Sequence, residues 1–396
     1  MRLRDLPSLL GEIARVRPHT VQGHGDALTL EDLLSGYSVE DVGLFRSRLF
    51  EHSSRPLLQR LPLPRRRPRV EVVGVDSSSR LLETPSHSIV ITVASASSRS
   101  IVELYDYPEV YGYPVSPGGG PPFIAVVPGG DYGYPLTGRG PGGWPYGPGY
   151  SVEAVMDEWR VALENWVLGE VLPVAVEEGL LPGAVALLDG PLTPALWRVQ
   201  EEGWRSLSRA RSSAVARLED LGVPVVGVVK RVERSRILST TPGLREMVED
   251  CTGVQGQGDR ALIHMLQESR CSTRSPGRLL VTPRVLVEPS VPGALEKVVE
   301  YLVVPPGRWQ NSPRASRVYR LEYSRGSLEL LRARGLEPHH VVALDSIARG
   351  GLEPVTIRAS DRRARGISKA LRLLVARGLR IQGVPVSYSS EVDLRS

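Results

Sequence analysis

Two apolar runs of strand length, each ending at an aspartate, constrain the fold of this chain more than any other feature. The first run covers Val70–Val75 and stops at Asp76, and the second covers Ala184–Leu188 and stops at Asp189. Small residues follow both aspartates. Because apolar runs of this length are typical of buried strands, each carboxylate is predicted at the mouth of a buried sheet. Two carboxylates placed in this way can share a divalent metal ion.

The composition indicates a globular chain without membrane spans. With 396 residues, 41% of them hydrophobic and 23% charged, the chain can form one large core or two modest ones. No apolar stretch is long enough to cross a bilayer, and no signal-peptide core follows the first residues. We therefore expect no membrane partner and a cytoplasmic location. The formal net charge of +5 is compatible with binding a polyanion but does not require it.

The cysteine and lysine contents are both low. Cys251 and Cys271 are too few for a disulfide framework and lack the spacing of a zinc module, so we expect two ordinary thiols. Of the 49 basic residues, only Lys230, Lys297 and Lys369 are lysines. A GC-rich coding sequence explains most of the arginines, whereas a retained lysine indicates a site that favours a compact ammonium group.

The chain is predicted to divide into two parts. Residues 1–68 are interpreted as a helical segment that ends in a basic linker, and residues 69–396 as one domain. In the first part, helices are expected over Leu6–Ala14, from Thr29, and over Val39–Phe50. Within the larger part, residues 108–150 form an insertion rich in glycine, proline and aromatic residues that interrupts every regular pattern. Its aromatic side chains are suited either to stacking on unpaired bases or to anchoring a lid.

The order of elements in residues 69–396 predicts an α/β fold with a mixed sheet. A helix that Ser151 caps, a strand that ends at Asp189, a helix over residues 193–221 and a strand over Val223–Arg231 imply parallel crossovers. Strands are predicted at Val70–Val75, Ser88–Val93, Ile101–Tyr105, Leu279–Val287, Val298–Val304, Arg317–Tyr323 and His340–Leu344. Helices are predicted at residues 244–248, 260–268, 326–335 and 361–376.

A third acid is needed to hold two hard cations, and Glu164 is the candidate. It lies in the helix before Asp189, beside the apolar stripe of that helix, where a carboxylate is costly unless it is paired or binds metal. Glu158 and Glu170 are weaker candidates on the same stretch. The alternative is that Glu164 pairs with Arg160 at an exposed position. Each aspartate, likewise, is also a plausible turn residue.

The strand over Val223–Arg231 carries Lys230 at its end. Two interpretations are open: Lys230 contacts a substrate phosphate, or it forms a salt bridge with Glu164 or Asp189. Together with the two strand-end aspartates and the helical acid, Lys230 forms a set of residues. This set indicates a catalytic site more specifically than any one of its members does.

Taken in chain order, these residues resemble the NurA nucleases of archaea and some bacteria. The resemblance extends over residues 69–370, and the matching segments are Val73–Ser78, Leu187–Leu192, Gly227–Arg231, Arg317–Tyr323 and Ala359–Arg365. It implies an RNase H-like core related to the PIWI nuclease domain and manganese- or magnesium-dependent cleavage of DNA with two ions. It also implies a homodimer that works beside a hexameric HerA-type translocase in the resection of double-strand break ends.

Position by position, the resemblance assigns roles to individual residues. Asp76, Asp189 and Glu164 match the metal-binding acids. Hydrolysis would follow in-line attack of a metal-bound water. The arginines expected along the DNA backbone are Arg231, Arg358, Arg362, Arg363 and Arg365.

The chain departs from the family pattern at two positions. Ser77 stands where a glycine is usual, and Asp361 stands near the position of a histidine in the C-terminal helix. Two interpretations are open: Asp361 replaces that histidine as an oxygen ligand, or the binding of the second metal ion is weakened. The missing histidine also supports an alternative function, a catalytically weak or inactive NurA-like scaffold or regulator of a DNA translocase. A third possibility is a related enzyme that acts on RNA.

Overall fold

The computed structural model describes the greater part of the chain. The described residues are 6–15, 45–50, 57–61, 70–85, 87–110, 112–128, 140–141, 143, 146, 151–193, 202–233, 235–269, 271–272, 279–290, 293–304, 316–347 and 353–387. The chain divides into two compact units, the first made of residues 1–36, 75–178 and 359–396, the second of residues 37–74 and 179–358. The helix expected from Thr29 lies outside the described residues.

Runs of strands and runs of helices follow one another along the described part of the chain. The strands are β1 (Phe45–Leu49), β2 (Gln59–Arg60), β3 (Val72–Glu83), β4 (His87–Ser98), β5 (Tyr105–Tyr107), β6 (Ile124–Pro128), β7 (Val185–Asp189), β8 (Val225–Val229), β9 (Leu280–Val281), β10 (Val285–Pro289), β11 (Lys297–Val304) and β12 (Arg317–Tyr323). The helices are α1 (Leu6–Arg15), α2 (Val152–Trp166), α3 (Leu172–Glu177), α4 (Glu202–Asp220), α5 (Ile237–Thr240), α6 (Leu244–Thr252), α7 (Asp259–Glu268), α8 (Arg325–Ala333), α9 (Pro338–Ile347) and α10 (Val355–Ile381). None of these described helices is both long and apolar enough to span a membrane.

In the first unit, helix α2 packs on the strands around β4. β4 lies beside β3 and pairs antiparallel with β5 and with β6, which places Val90 opposite Ala125. Val90, Ala125 and Trp159 share one apolar core. Ser151 caps α2 as predicted, because its hydroxyl accepts a hydrogen bond from Ala154 N at 3.2 Å.

Two predictions for the first unit are wrong. β6 lies inside residues 108–150, which were expected to lack regular structure; its short apolar run pairs with β4 between flanking prolines. The strand predicted at Ile101–Tyr105 begins only at Tyr105, since Ile101 N donates to Ser98 Oγ at 2.8 Å and the following residues turn. Trp144, an aromatic residue of the insertion, lies outside the described residues.

In the second unit the strand order is β1, β10, β11, β12, β8, β7. Neighbours in this series are antiparallel except β7 and β8, which are parallel with Ala186 opposite Val225. Helix α4 lies in the connection between these two strands, as the sequence predicts for a crossover. Val72 and Val185 belong to one core of this unit, and Val185 N donates to Glu71 O at 2.9 Å. The prediction of an α/β fold with a mixed sheet is confirmed.

For two segments of the second unit, the sequence predicts the wrong type of secondary structure. Phe45–Leu49, expected within a helix, forms an edge strand whose Arg48 pairs with Glu288 of β10 at 2.9 Å. His340–Leu344, expected as a strand, lies in α9. Val341, Val342 and Ala343 are all buried, so this apolar run shows neither helical nor strand periodicity and its type is ambiguous from sequence.

The two cysteines form a disulfide between Cys251, in α6, and Cys271, three residues after α7. The expectation of two free thiols is therefore wrong. Twenty positions separate the two residues along the chain, but α6 and α7 fold back on each other and bring their Cα atoms to 5.9 Å. This separation is ordinary for a disulfide.

Removing the disulfide should lower stability. Because a cross-link of this span restricts the unfolded chain, Cys251→Ser is expected to lower the free energy of unfolding by about 3 kcal/mol under non-reducing conditions. Denaturant unfolding of both proteins with and without dithiothreitol measures the effect. Equal midpoints under non-reducing conditions would contradict the prediction, and the difference should vanish in reductant.

Candidate active site

Asp76 lies inside β3 rather than at its end. The strand continues to Glu83, so the prediction that Asp76 ends a strand is wrong, as is the alternative of a turn. Ser79, on the same strand, has its Oγ 2.9 Å from Thr92 Oγ1 and donates to Met156 O at 3.1 Å. The contacts with β4 and α2 satisfy this hydroxyl without a turn. Asp76 is 2% exposed and accepts a hydrogen bond from Ser77 N at 2.7 Å.

Glu164 is the second buried acid of the first unit. It lies in the last turn of α2, is 6% exposed and accepts a hydrogen bond from Ser77 Oγ at 2.6 Å. Arg160 Nε donates to the same Ser77 hydroxyl at 3.4 Å. Glu164 is therefore not at the exposed position that the alternative interpretation required. Glu164 therefore contacts Ser77, the residue next to Asp76.

The local sequence explains the end of α2. A π-helical turn, Val167–Val171, follows directly, and Pro173 lies in the first turn of the next helix. Proline has no amide hydrogen to donate to the preceding turn, which favours a wider turn before it. Glu158, a weaker sequence candidate, accepts a hydrogen bond from Tyr146 at 2.9 Å and is fully buried, whereas Glu170 is exposed.

Asp189 and Lys230 form an ion pair in the second unit. Asp189 is the last residue of β7, as predicted, and Lys230 follows β8, its parallel neighbour. Lys230 Nζ lies 2.8 Å from Asp189 Oδ2, with 26% and 18% of the two side chains exposed. Of the two interpretations of Lys230, the salt bridge to Asp189 is the one observed in this structure. Both groups remain within reach of solvent.

Tyr319 belongs to the same group and was not singled out from the sequence. It is 2% exposed on β12, and burial, Glu353 and Asp189 raise the pKa of its hydroxyl, against an opposing effect of Arg317. Tyr319 therefore stays protonated at neutral pH and keeps its hydroxyl hydrogen. No local sequence signal marks Tyr319, because the mixture of polar and apolar residues in Arg317–Tyr323 does not indicate which of them lies near Asp189.

Two of the predicted residues of α10, Asp361 and Arg363, form ion pairs within the first unit. Asp361 Oδ1 lies 2.6 Å from Arg365 Nε, one turn along the helix. Arg363, predicted to bind DNA, forms an ion pair with Asp106, which is fully buried, and is 15% exposed. Arg231, Arg358 and Arg362 are exposed. The structure thus gives Arg363 a role in holding α10.

The donor chemistry fits a hard divalent cation. Carboxylate oxygens are the ligands that Mg²⁺ and Mn²⁺ take, and Asp76 and Glu164 offer them from nearly fully buried positions, where an ionised carboxylate requires compensation. Among the residues that the structure describes, no group of three or more His, Cys, Asp or Glu side chains has the arrangement of a metal site. The fit rests on the chemistry of these donors.

Comparisons with known proteins give the same family that the sequence resembles. No curated protein matches this chain. The chain is similar to the solved structure of the NurA nuclease from Sulfolobus solfataricus, with 10% identity, coverage of 89% of this chain and 91% of that chain, and a TM-score of 0.38. It is also similar to a structure of NurA with manganese, with 10% identity, coverage of 93% and 96%, and a TM-score of 0.36. The family model for the NurA domain matches residues 70–365, three quarters of the sequence, and the chain therefore belongs to the NurA family.

Proposed function

We propose that this protein is a divalent-metal-dependent DNA nuclease. The observation that carries the proposal is the match of the NurA domain over residues 70–365. The buried carboxylates of Asp76 and Glu164 support it, because their chemistry suits a hard cation. The proposal extends to an RNase H-like core, a homodimer, and work beside a HerA-type translocase in the resection of double-strand break ends.

In this proposal Asp76, Glu164 and Asp189 hold Mn²⁺ or Mg²⁺, with Asp361 in place of the histidine of the family. Two such ions, when bound, supply a water of lowered pKa and stabilise the leaving oxygen of an in-line hydrolysis. Ser77 donates its hydroxyl hydrogen to Glu164 and so fixes the direction of that carboxylate.

The basic residues act on the substrate. Lys230 orients Asp189 through their 2.8 Å contact, and its partly exposed ammonium group meets the phosphate next to the cleaved bond. Arg231, Arg358 and Arg362, all exposed, neutralise backbone phosphates, which gives an affinity that depends on salt and not on sequence.

Cleavage of linear DNA with and without metal tests the proposal. Wild-type protein in Mn²⁺ should cut, and EDTA should stop it. Asp189→Asn should lower the initial rate by about a hundredfold or more, because it removes a charge from the site. Asp220→Asn, an exposed change at the end of α4, is the matched control and should cut like the wild type. Matched RNA substrates separate a deoxyribonuclease from an enzyme that acts on RNA.

A catalytically weak or inactive scaffold is the second candidate function. It is favoured by the cations that already contact two of the proposed ligands, Lys230 at Asp189 and Arg365 at Asp361. Binding of Mn²⁺ without hydrolysis of any DNA substrate, together with retained binding to a hexameric translocase, would support this function over the first.

A further inference from the structure

A fully buried acid holds the loop that follows Asp189. Leu192 N donates to Glu322 Oε2 at 2.9 Å, three residues after Asp189, and Glu322 is 0% exposed in the middle of the second unit. The loop has little freedom elsewhere. Gly190 N donates to Val228 O at 3.1 Å, so both the start and the end of this four-residue segment are tied to the sheet.

The loop also lies directly on β8. A Cβ atom added at Gly227 would stand 2.8 Å from both Gly190 O and Leu192 N, closer than real side chains approach. Glycine at this position therefore lets the loop cross the strand in contact with its backbone. The hydrogen bond to Glu322 and the close contact with the backbone at Gly227 together hold the segment from Asp189 to Leu192 in one position.

Two cations surround Glu322. Lys297 Nζ donates to Oε2 at 2.9 Å, and Arg320 Nε makes an ionic contact with Oε1 at 2.9 Å. Burial alone would raise the pKa of Glu322, but the charges of Lys297 and Arg320 hold it below its usual range. An ionised carboxylate is a stronger acceptor for an amide than a neutral one. Within the described part of the chain, Glu322 contacts these two buried cations and one amide, Leu192 N of the Asp189 loop.

We propose that Glu322 is a positioning residue for the reaction: through Leu192 N it fixes the Asp189–Leu192 segment, and thereby the direction in which Asp189 presents its carboxylate to a metal ion. Lys297 and Arg320 are the counter-ions of this device. The inference rests on the proposed function only for its effect on cleavage, because the hydrogen bond and its effect on the loop can be measured without catalysis.

Glu322→Gln is the first test, with three readouts. Amide hydrogen exchange should become faster in peptides that contain Leu192. The neutral oxygen of the new side-chain amide accepts the Leu192 N–H more weakly than the carboxylate does, and Lys297 competes with Leu192 N for that oxygen. Mn²⁺ affinity, measured by the EPR signal of the free ion, should weaken about tenfold or more, as for other changes next to metal ligands. The kcat for DNA cleavage should fall while KM for DNA stays unchanged, since Glu322 is buried and touches no substrate.

Glu300→Gln is the matched control. Glu300 is 1% exposed on β11, the neighbour of β12, and is paired with Arg284 and His339, so its loss has a similar cost to stability. Arg284 and His339, the partners of Glu300, lie outside the Asp189 loop. We expect Glu300→Gln to leave exchange at Leu192 and Mn²⁺ affinity unchanged. A Glu322 variant that behaves like the Glu300 variant in these two readouts would overturn the proposal.

A second variant covers the possibility that Glu322→Gln does not fold. Lys297→Met combined with Glu322→Gln removes one charge of each sign, keeps the net charge of the trio and avoids leaving an uncompensated lysine in the core. It should show the same faster exchange and weaker Mn²⁺ binding. If wild-type protein cuts no DNA, the nuclease proposal fails, whereas unchanged exchange at Leu192 in a folded variant refutes the positioning role itself.

Discussion

Replacing Asp76 with asparagine is expected to lower DNA cleavage by about a thousandfold, a loss of about 4 kcal/mol of transition-state stabilisation, while the protein stays folded. Asparagine has the same size as aspartate, and its side-chain oxygen can still accept the 2.7 Å hydrogen bond from Ser77 N. The substitution therefore removes the negative charge of the side chain and keeps its size and shape. If Asp76 binds a cation from its buried place in β3, the loss of that charge removes the main attraction for the ion.

Asp157→Asn is the control for this substitution. Asp157 lies on α2, in the same unit, and 44% of its side chain is exposed. Its substitution makes the same chemical change, from a carboxylate to an amide. Initial rates on linear DNA in Mn²⁺, with thermal melting of each variant, separate catalysis from folding. An Asp76→Asn protein that cuts as fast as the Asp157→Asn protein would refute the role of Asp76.

Gly74→Ala is expected to cause the largest loss of stability. A Cβ atom at Gly74 would lie 2.3 Å from the carbonyl carbon of Thr356 and 2.4 Å from Ile357 N, so the first turn of α10 occupies the place of the side chain. Both neighbours are backbone atoms and cannot rotate away. We expect a decrease in the free energy of unfolding of about 3 kcal/mol or more, at the upper end of the range for overpacked cores.

The control lies on the same helix. Gly366 of α10 has nothing within 4 Å of an added Cβ atom, and alanine there should stabilise the protein by about 1 kcal/mol through helix propensity. Urea unfolding of Gly74→Ala and Gly366→Ala should therefore shift the midpoint in opposite directions. A Gly74→Ala midpoint at or above that of the wild type would show that the helix can move away at little cost.

The parts of the fold that the sequence predicts correctly are those with a local physical signal. Ser151 at the start of an amphipathic helix, and two buried strands on either side of α4, follow rules that act over neighbouring residues. The errors come from contacts between distant residues. β1 is a strand because it pairs with β10, some 240 residues away, and Cys251 meets Cys271 because two helices pack together.

The candidate site shows the same division. The sequence points to Asp189 and Lys230 because each follows a strand, and the structure places them in contact. It points to Asp76 for a reason that is wrong, since β3 continues past it. Tyr319 and Glu322 were missed because a tyrosine and a glutamate on a polar-looking strand have no local mark of their contact with the Asp189 region. The catalytic assignment of all the site residues, Asp76, Glu164, Asp189, Lys230 and Asp361, stays a prediction.

The three lysines differ sharply in accessibility, which determines how the protein reacts with amine-directed reagents. Lys297 is 3% exposed and bound to Glu322, Lys230 is partly covered by Asp189, and Lys369 is exposed on α10. Among the lysine side chains, a succinimidyl ester should therefore acylate Lys369 first. Fluorescent labelling or coupling to a biosensor surface through lysine would attach the protein by one helix, in a nearly uniform orientation.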